Sequence, residues 1–249
     1  MTASTSPALL TPVIAHRGAS GDAPENTLAA LRLAINQGVA CVEIDVSISA
    51  DRIPFVHHDH SLDRCTTGTG LLCEHSAEDL DTLDASKGMP GFTGEPLPRL
   101  SAVIELLESR AIGLNLEIKP KEGLEKQTVE AICTLIEARW PSHLPLVFSS
   151  FSWVSLSYAK QRLPLVPRAL LVGAIPDDWQ SLIVTYDCRN IHCSGNSLTA
   201  DQTSQLRQAG LGVYCYTVND LSLAQSLLNF GAHGVFTDYP QQMLRSLDI

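Results

Sequence analysis

Apolar positions along the chain fall into short continuous runs that alternate with longer amphipathic stretches. Eight of the runs predict buried strands, at 12–16, 41–47, 113–119, 145–150, 168–173, 190–194, 212–217 and 233–237. The amphipathic stretches predict helices at 25–37, 124–139, 152–162, 177–183, 199–209 and 219–230, and glycine follows several of these. Repeated strand–helix units are typical of a parallel sheet covered by helices. Eight such units predict an α/β fold, a (β/α)8 barrel of the TIM type.

A further apolar run, at 54–58, follows the second strand too closely for a helical crossover. It therefore predicts the return arm of a β-hairpin. If the chain turns near Asp51 and Arg52, His58 stands level with Asp45 across the hairpin.

Segment 60–112 is too long for an ordinary strand-to-helix loop, and it contains short helical patterns at 76–84 and 98–110. We interpret it as an insertion before the third barrel strand. No linker, charge run or repeat interrupts the chain, so 1–249 is predicted to be one domain. Pro24 predicts that the first helix begins directly after it, with Glu25 in the first turn.

Composition and charge narrow the range of partners and compartments. A net charge of −10 argues against nucleic acid and anionic membranes, which attract basic surfaces. Residues 1–12 lack the basic and apolar regions of a secretory signal, and no apolar run reaches the ~20 residues that span a bilayer. The seven cysteines include no C-x-x-C pair, which is typical of free thiols in a reducing cytosol. We expect a cytoplasmic protein without a membrane anchor.

Charged side chains and a histidine gather at the ends of the first three barrel strands: His16, Arg17, Glu43, Asp45, Glu117 and Lys119. The carboxyl ends of the strands form the active-site face of a TIM barrel. Carboxylates in such apolar sequence are costly unless a cation meets them, and all-oxygen ligands suit a hard divalent ion. The alternative is that the carboxylates form buried ion pairs with the arginine and the lysine.

An ordered set of motifs between about Val13 and Tyr239 carries a family resemblance. The main motifs are His16-Arg17-Gly18, Pro24-Glu25-Asn26-Thr27, Glu43-Ile44-Asp45, His58-Asp59 and Leu116-Glu117-Ile118-Lys119-Pro120. Lesser ones are Gly94-Glu95-Pro96-Leu97-Pro98, Ser149-Ser150-Phe151, Tyr216-Thr217-Val218-Asn219 and Phe236-Thr237-Asp238. Together they resemble the glycerophosphodiester phosphodiesterase family, in its cytosolic bacterial branch.

The resemblance implies metal-dependent hydrolysis of glycerophosphodiesters to glycerol 3-phosphate and an alcohol. It implies that His16 assists the attacking oxygen and that His58 protonates the leaving alkoxide, as general base and acid. It makes Glu43, Asp45 and Glu117 the ligands of one divalent ion, Mg²⁺ or Ca²⁺. The attacking group is either water or the glycerol hydroxyl next to the ester.

Arg17 and Lys119 are the predicted phosphate clamps. The planar fork of an arginine can bind two phosphate oxygens, whereas a lysine supplies a point charge. Both can also pair with neighbouring carboxylates, and the two roles can coexist.

Three further residues near strand ends are candidates for the substrate pocket: Phe151, His192 and Tyr216. Phe151 and Tyr216 would form a wall of the glycerol pocket, although most aromatic side chains in a barrel only pack against their neighbours. Many family members carry tryptophan where Tyr216 stands. The resemblance also implies that the insertion forms a cap that bears on the alcohol accepted.

Two other functions stay open. A related phosphodiesterase acting on lysophospholipids would need an apolar groove at the barrel mouth, for which the insertion offers Leu71, Leu72 and the segment 89–92. A non-catalytic phospho-ligand-binding barrel would lack the acid or the base, yet both histidines are present. The partner is a small molecule in each case, and we expect a monomer or a homodimer.

Overall fold

The structure, a computed structural model, describes residues 10–247 and contains nine strands. The strands are β1 (Val13–His16), β2 (Cys41–Ile48), β3 (Pro54–Val56), β4 (Gly113–Ile118), β5 (Leu146–Ser150), β6 (Arg168–Val172), β7 (Asn190–Ser194), β8 (Gly212–Tyr216) and β9 (Gly234–Thr237). All but β3 are parallel, and pairing of β1 with β2 closes the order β1-β9-β8-β7-β6-β5-β4-β2 into a ring. The predicted (β/α)8 barrel is confirmed.

Most of the helices connect the strands on the outside of the ring. They are α1 (Leu28–Asn36), α2 (Ala77–Leu80), α3 (Leu100–Arg110), α4 (Glu125–Arg139), α5 (Trp153–Arg162), α6 (Trp179–Tyr186), α7 (Ala200–Gln208), α8 (Leu221–Phe230) and α9 (Pro240–Ser246). Polar caps begin several of them, as where the Asp220 carboxylate accepts from the Leu223 N–H at the start of α8. Within residues 10–247, no helix combines the length and the apolar character that a membrane span requires.

Strand register brings the chemically active positions together. His16 pairs with Glu43 across β1 and β2, and Asp45 pairs with Glu117 across β2 and β4. Residues two apart on a strand face the same side, so Glu43 and Asp45 share one side of β2. The lower barrel is filled by a mainly apolar cluster: Leu10, Ile14, Cys41, Val147, Ala169, Tyr214 and Phe236. The site therefore lies above a closed floor.

The hairpin forms as predicted, but its register differs by one residue. β2 and β3 pair Val46 with Val56, and the backbone N–H of His57 donates to the Asp45 carbonyl at 3.0 Å. The prediction that His58 stands level with Asp45 was therefore wrong. The turn is centred on a single residue, Asp51, because the N–H of Ser49 donates to the Ile53 carbonyl. His58 consequently lies just beyond the paired strand.

The first helix begins later than predicted. Thr27 is its N-cap, and the Thr27 hydroxyl accepts from the Ala30 N–H. Asn26 has a positive φ of 60°, which ends any helical path through the preceding residues. The prediction that Glu25 lies in the first helical turn was wrong, and this leaves Glu25 and Asn26 free to face the barrel mouth.

The segment predicted as an insertion consists of two different parts. α3 packs into the core of barrel strands and helices, so it takes the place of a barrel helix. The part before α3 forms a small apolar cluster of its own with β3: Phe55, Leu62, Leu72, Ala77, Leu80, Ala85 and Leu97. We call residues 57–99 the cap.

Candidate active site

Three carboxylates meet where β2 and β4 lie side by side. Glu43, Asp45 and Glu117 each place one oxygen within 4.8 Å of the other two. Burial and repulsion from Asp45 raise the pKa of Glu43 well above its ordinary value, and they raise that of Glu117 to about 7. The Glu43 Oε1 atom is buried with no hydrogen-bond partner among the described protein atoms. These features fit a bound cation, and the all-oxygen donor set fits a hard divalent ion.

Ion pairing alone does not neutralise the cluster. Lys119 Nζ lies 3.3 Å from Glu117 Oε1 and 3.8 Å from Asp45 Oδ1. Arg17 Nε lies 3.2 Å from Asp45 Oδ2, outside hydrogen-bonding geometry, and the same guanidinium also binds Glu25 at 2.8 Å. Arg17 and Lys119 thus face the three carboxylates, and Arg17 is also paired with a fourth carboxylate, that of Glu25. Net negative charge is left for a metal ion to balance.

The backbone of the first motif aims Arg17 at the cluster. Arg17 has a φ of 56°, and its N–H donates to Glu43 Oε2 at 3.0 Å. Gly18 follows with a φ of 81°, and a Cβ there would lie 2.6 Å from the backbone carbon of Ala30. Only glycine allows the chain to pass so close to α1 in this conformation. The motif is therefore a turn that fixes the arginine at the end of β1.

His16 is held by a carboxylate from the opposite end of the sequence. His16 Nδ1 lies 2.7 Å from Asp238 Oδ1, and Asp238 Oδ2 accepts from Asn219 Nδ2 at 2.7 Å. Although burial opposes its charge, the bonds from His16 and Asn219 lower the pKa of Asp238 to about 2. A charged Asp238 places the proton of a neutral His16 on Nδ1, which leaves Nε2 as the acceptor. This is the arrangement that a general base requires.

His58 belongs to a second pair of the same kind. His58 Nδ1 lies 2.6 Å from Asp59 Oδ1, and its Nε2 lies 3.1 Å from Lys119 Nζ. Burial lowers the pKa of His58, and the negative charge of nearby Asp45 partly opposes this shift. The position just beyond β3 allows the ring to face the cluster, whereas His57 turns away and contacts the Ser61 carbonyl at 2.9 Å.

Arg64 of the cap joins the two sides of the site. Its Nε and Nη2 atoms donate to both oxygens of Asp59 at 2.6 and 3.0 Å. Its Nη1 and Nη2 atoms donate to both oxygens of Glu25 at 2.6 and 2.9 Å. Asp59 in turn holds His58, and Glu25 holds Arg17. One arginine thus supports two carboxylates, each of which orients a side chain of the site.

A cavity of about 210 Å³ opens at this end of the barrel. Its walls include both histidines, Arg17, Glu43 and Glu117. His58, at the start of the cap, is the one described cap residue in this wall, and the rest of the cap reaches the site through Arg64.

The three candidate pocket residues also line this cavity. Phe151, half exposed at the rim, meets Tyr216 edge to face at a centroid distance of 6.0 Å. The Tyr216 hydroxyl donates to the Val172 carbonyl at 2.7 Å, which fixes the ring. His192 is fully buried at the floor.

Comparison with known proteins decides the family. Residues 16–242 match the glycerophosphoryl diester phosphodiesterase family. YhdW of Bacillus subtilis is 30% identical to this chain, over 94% of the chain and 96% of its own length. The chain belongs to the glycerophosphoryl diester phosphodiesterase family.

Other relatives agree in sequence and in structure. The glycerophosphodiester phosphodiesterase of Caldanaerobacter subterraneus subsp. tengcongensis is 28% identical, over 93% of this chain and 96% of its own. A phosphodiesterase of Oleispira antarctica, solved in complex with the product sn-glycerol-3-phosphate, is 43% identical with a TM-score of 0.94. That similarity covers 96% of this chain and 98% of the other. The chain is therefore an enzyme, a phosphodiesterase.

The structure brings the predicted site residues together, but sequence reasoning assigned no role at the site to several side chains that hold them. The missed residues are Glu25, Asn26, Asp59, Arg64, Asn219 and Asp238. A signal existed for some of them, since Asp59 adjoins a candidate histidine and Asp238 directly follows the last barrel strand. Asn26 holds the cluster directly, because its Nδ2 donates to Asp45 Oδ2 at 2.9 Å.

Proposed function

We propose that this phosphodiesterase hydrolyses glycerophosphodiesters to glycerol 3-phosphate and an alcohol, with a divalent metal ion and histidine acid–base catalysis. The observation that carries the proposal is one cavity lined by two carboxylate-held histidines, Arg17 and two members of the cluster of three carboxylates, with Lys119 beside that cluster. The product bound by the Oleispira antarctica phosphodiesterase supports the choice of substrate class.

Glu43, Asp45 and Glu117 would hold the metal ion, which we propose to be Mg²⁺ or Ca²⁺. The unpartnered Glu43 Oε1 and the excess negative charge support this assignment. When bound, the ion supplies positive charge that stabilises the charge developing on the phosphate oxygens. The protein supplies the remaining positive charge through Arg17 and Lys119, which bind the non-bridging oxygens.

The two histidines would divide the proton transfers. His16 Nε2 accepts the proton of the attacking oxygen, because Asp238 engages the other ring nitrogen. His58 donates a proton to the leaving alkoxide. Lys119 Nζ lies 3.1 Å from His58 Nε2, so the lysine would contact both this histidine and the phosphate. The attacking oxygen belongs to water or to the neighbouring glycerol hydroxyl.

A lysophospholipid is a second candidate substrate, favoured by one observation. An apolar groove of about 290 Å³ adjoins the catalytic cavity and shares Phe151 and Leu171 with it. Leu71, Leu72 and the segment 89–92, which the insertion offers for such a groove, do not line it, and Leu72 is buried in the cap cluster. Its remaining wall consists of Trp153, Val172, Gly173, Ala174 and Pro176.

Choline release from glycerophosphocholine and from lysophosphatidylcholine, measured side by side, separates the two candidates. The proposed function expects faster release from the glycerol ester, with glycerol 3-phosphate as the second product. Faster release from the acylated ester, with the acyl glycerol phosphate as product, would transfer the proposal to lysophospholipids. Release from neither ester contradicts both.

The Arg64→Lys variant is expected to lower kcat/KM for glycerophosphocholine by about tenfold or more, because a single ammonium cannot bind two carboxylates bidentately. Thermal unfolding should change little, since Arg64 is half exposed and exposed pairs contribute about 0–1 kcal/mol. Steady-state kinetics and a melting curve check both expectations.

Arg99→Lys is the matched control for this prediction. Arg99 also lies at the cap and binds both oxygens of one carboxylate, Asp81, but no described hydrogen bond links this carboxylate to Arg17 or His58. If Arg64→Lys and Arg99→Lys retain equal activity, Arg64 has no positioning role.

A further inference from the structure

Two buried polar side chains at the floor of the catalytic cavity have unpaired atoms. Both ring nitrogens of His192 and the Oδ1 atom of Asn115 lack a hydrogen-bond partner among the described protein atoms. His192 is 0% exposed and Asn115 is 2% exposed, and both line the cavity. Leaving such groups unpaired is destabilising, so each one in a native protein requires an explanation.

The packing of His192 holds its ring in place. The ring lies 5.4 Å from that of Tyr214 and 5.0 Å from that of Phe236, measured between centroids. Burial lowers the pKa of His192 to about 3, so the imidazole is neutral near pH 7 and offers one donor and one acceptor. His192 is thus a rigid, uncharged hydrogen-bonding group without a structural partner.

Asn115 adds a second group of the same kind. Its Nδ2 atom donates to Ser149 Oγ at 2.9 Å, which orients the amide and leaves Oδ1 as a free acceptor. Leu171 and Phe236 supply apolar cavity wall beside His192. The floor therefore combines uncharged donors and acceptors with a surface suited to carbon atoms.

These properties select the chemistry of the ligand. His192 and Asn115 offer no positive charge to a phosphate, and Asn115 is paired with Glu43 across β2 and β4, whereas Arg17 and Lys119 lie at the carboxylate cluster. A hydroxyl group both donates and accepts, as the floor requires. The cavity of about 210 Å³ far exceeds the roughly 10–15 Å³ that one water needs, so a polyol carbon chain has room.

We propose that His192 and Asn115 form a subsite that binds the terminal hydroxyl of the glycerol half of the diester. This deepens the proposed function and rests on it. The terminal hydroxyl is the one farthest from the phosphate, so it alone reaches the floor while the phosphate stays at the cluster. The substrate then enters glycerol end first, and the leaving alcohol stays at the open mouth beside Phe151. The floor selects the glycerol half and leaves the alcohol less restricted.

The test compares glycerophosphocholine with 2-hydroxypropyl phosphocholine, which lacks only the terminal hydroxyl. It keeps the hydroxyl next to the ester, so a cyclic intermediate is equally accessible to both. The wild type should prefer the glycerol ester by about 10- to 100-fold in kcat/KM, as expected for loss of one buried hydrogen-bonding group. His192→Phe keeps the aromatic packing, removes both nitrogens and should reduce this preference to about threefold or less.

His233→Phe is the matched control, since His233 also stacks on Tyr214, at 5.8 Å, but does not line the cavity. It should keep the wild-type preference. Hydrolysis of bis(p-nitrophenyl) phosphate, which carries no glycerol, should be similar in wild type and His233→Phe. Retention of the full preference by His192→Phe, or its absence in the wild type, overturns the subsite.

A measurement on the wild type keeps the test independent of whether the variant folds. Glycerol 3-phosphate should inhibit bis(p-nitrophenyl) phosphate hydrolysis at least about tenfold more tightly than 1,2-propanediol 1-phosphate. Equal inhibition by the two phosphates overturns the subsite. Failure of the wild type to cleave either choline ester instead contradicts the proposed function, and the inhibition measurement still tests the floor.

Discussion

Glu117→Gln is expected to bind Mg²⁺ or Ca²⁺ at least about 10- to 100-fold more weakly, the loss seen when even the groups that orient metal ligands are removed. At a metal concentration of about ten times the wild-type Kd, such a loss leaves about half to a tenth of the sites occupied, so hydrolysis should fall by about two- to tenfold or more. The physical reason is that the variant keeps the size of the side chain but loses one anionic ligand from a cluster already held by two cations. Calorimetric metal titration and steady-state kinetics measure the two effects.

Stability supplies an independent readout of the same variant. The folded, metal-free protein holds the Glu117 proton up to a pKa of about 7, whereas a free carboxyl releases it near 4.5. Stability is therefore lost as the pH rises through this window, because the folded state binds the proton more tightly than the unfolded state. Glu117→Gln cannot ionise and should unfold at a higher temperature than the wild type at pH 8 in EDTA.

Glu105→Gln is the control for both readouts, since Glu105 is exposed on α3 and pairs only with Arg139 among the described salt bridges. It should match the wild type in metal affinity and in activity. Wild-type metal affinity in Glu117→Gln would show that this carboxylate is not a ligand.

The second large effect separates the two histidines by the leaving group. A general acid matters most when the departing alkoxide is a strong base. His58→Ala should lose about 10²–10⁴-fold in rate on choline and ethanolamine esters but far less on bis(p-nitrophenyl) phosphate, whose leaving group needs little protonation. His16→Ala should lose activity on both kinds of substrate, because both need the attacking oxygen to be deprotonated.

His143→Ala serves as the control here, because His143 is exposed in a loop away from the cavity. If the aryl substrate restores activity to His16→Ala and not to His58→Ala, the roles of general base and general acid are exchanged between the two histidines. Losses below about threefold on the natural esters in both variants, well short of an acid–base contribution, would make both histidines structural.

The barrel and the face that carries the candidate site could be predicted because their signals are local. Continuous apolar runs identified strands such as β4, and the carboxylates at 43, 45 and 117 stood out inside apolar sequence. The start of α1 was misplaced because Pro24 resembles a first helical residue, whereas the positive φ of Asn26 depends on tertiary contacts. The hairpin register was misplaced because turn length sets it, and apolar pattern alone does not distinguish turns that differ by one residue.

The supports of the site could not be predicted because they join distant parts of the chain. His16 and its partner Asp238 are 222 positions apart, and Arg64 and Glu25 are 39 apart. The unpaired nitrogens of His192 depend on which side chains surround the barrel floor, which no local pattern encodes. The seven cysteines are free thiols, whereas the cytoplasmic location, the single domain and the oligomeric state stay predictions.

Release of glycerol 3-phosphate from glycerophosphocholine by metal-free protein, before and after addition of Mg²⁺ or Ca²⁺, tests the central claim most directly. The account predicts little release without metal, rapid release after addition of one of these ions, and loss of that release in EDTA. Equal release in EDTA, or no glycerol 3-phosphate with either ion, would contradict it.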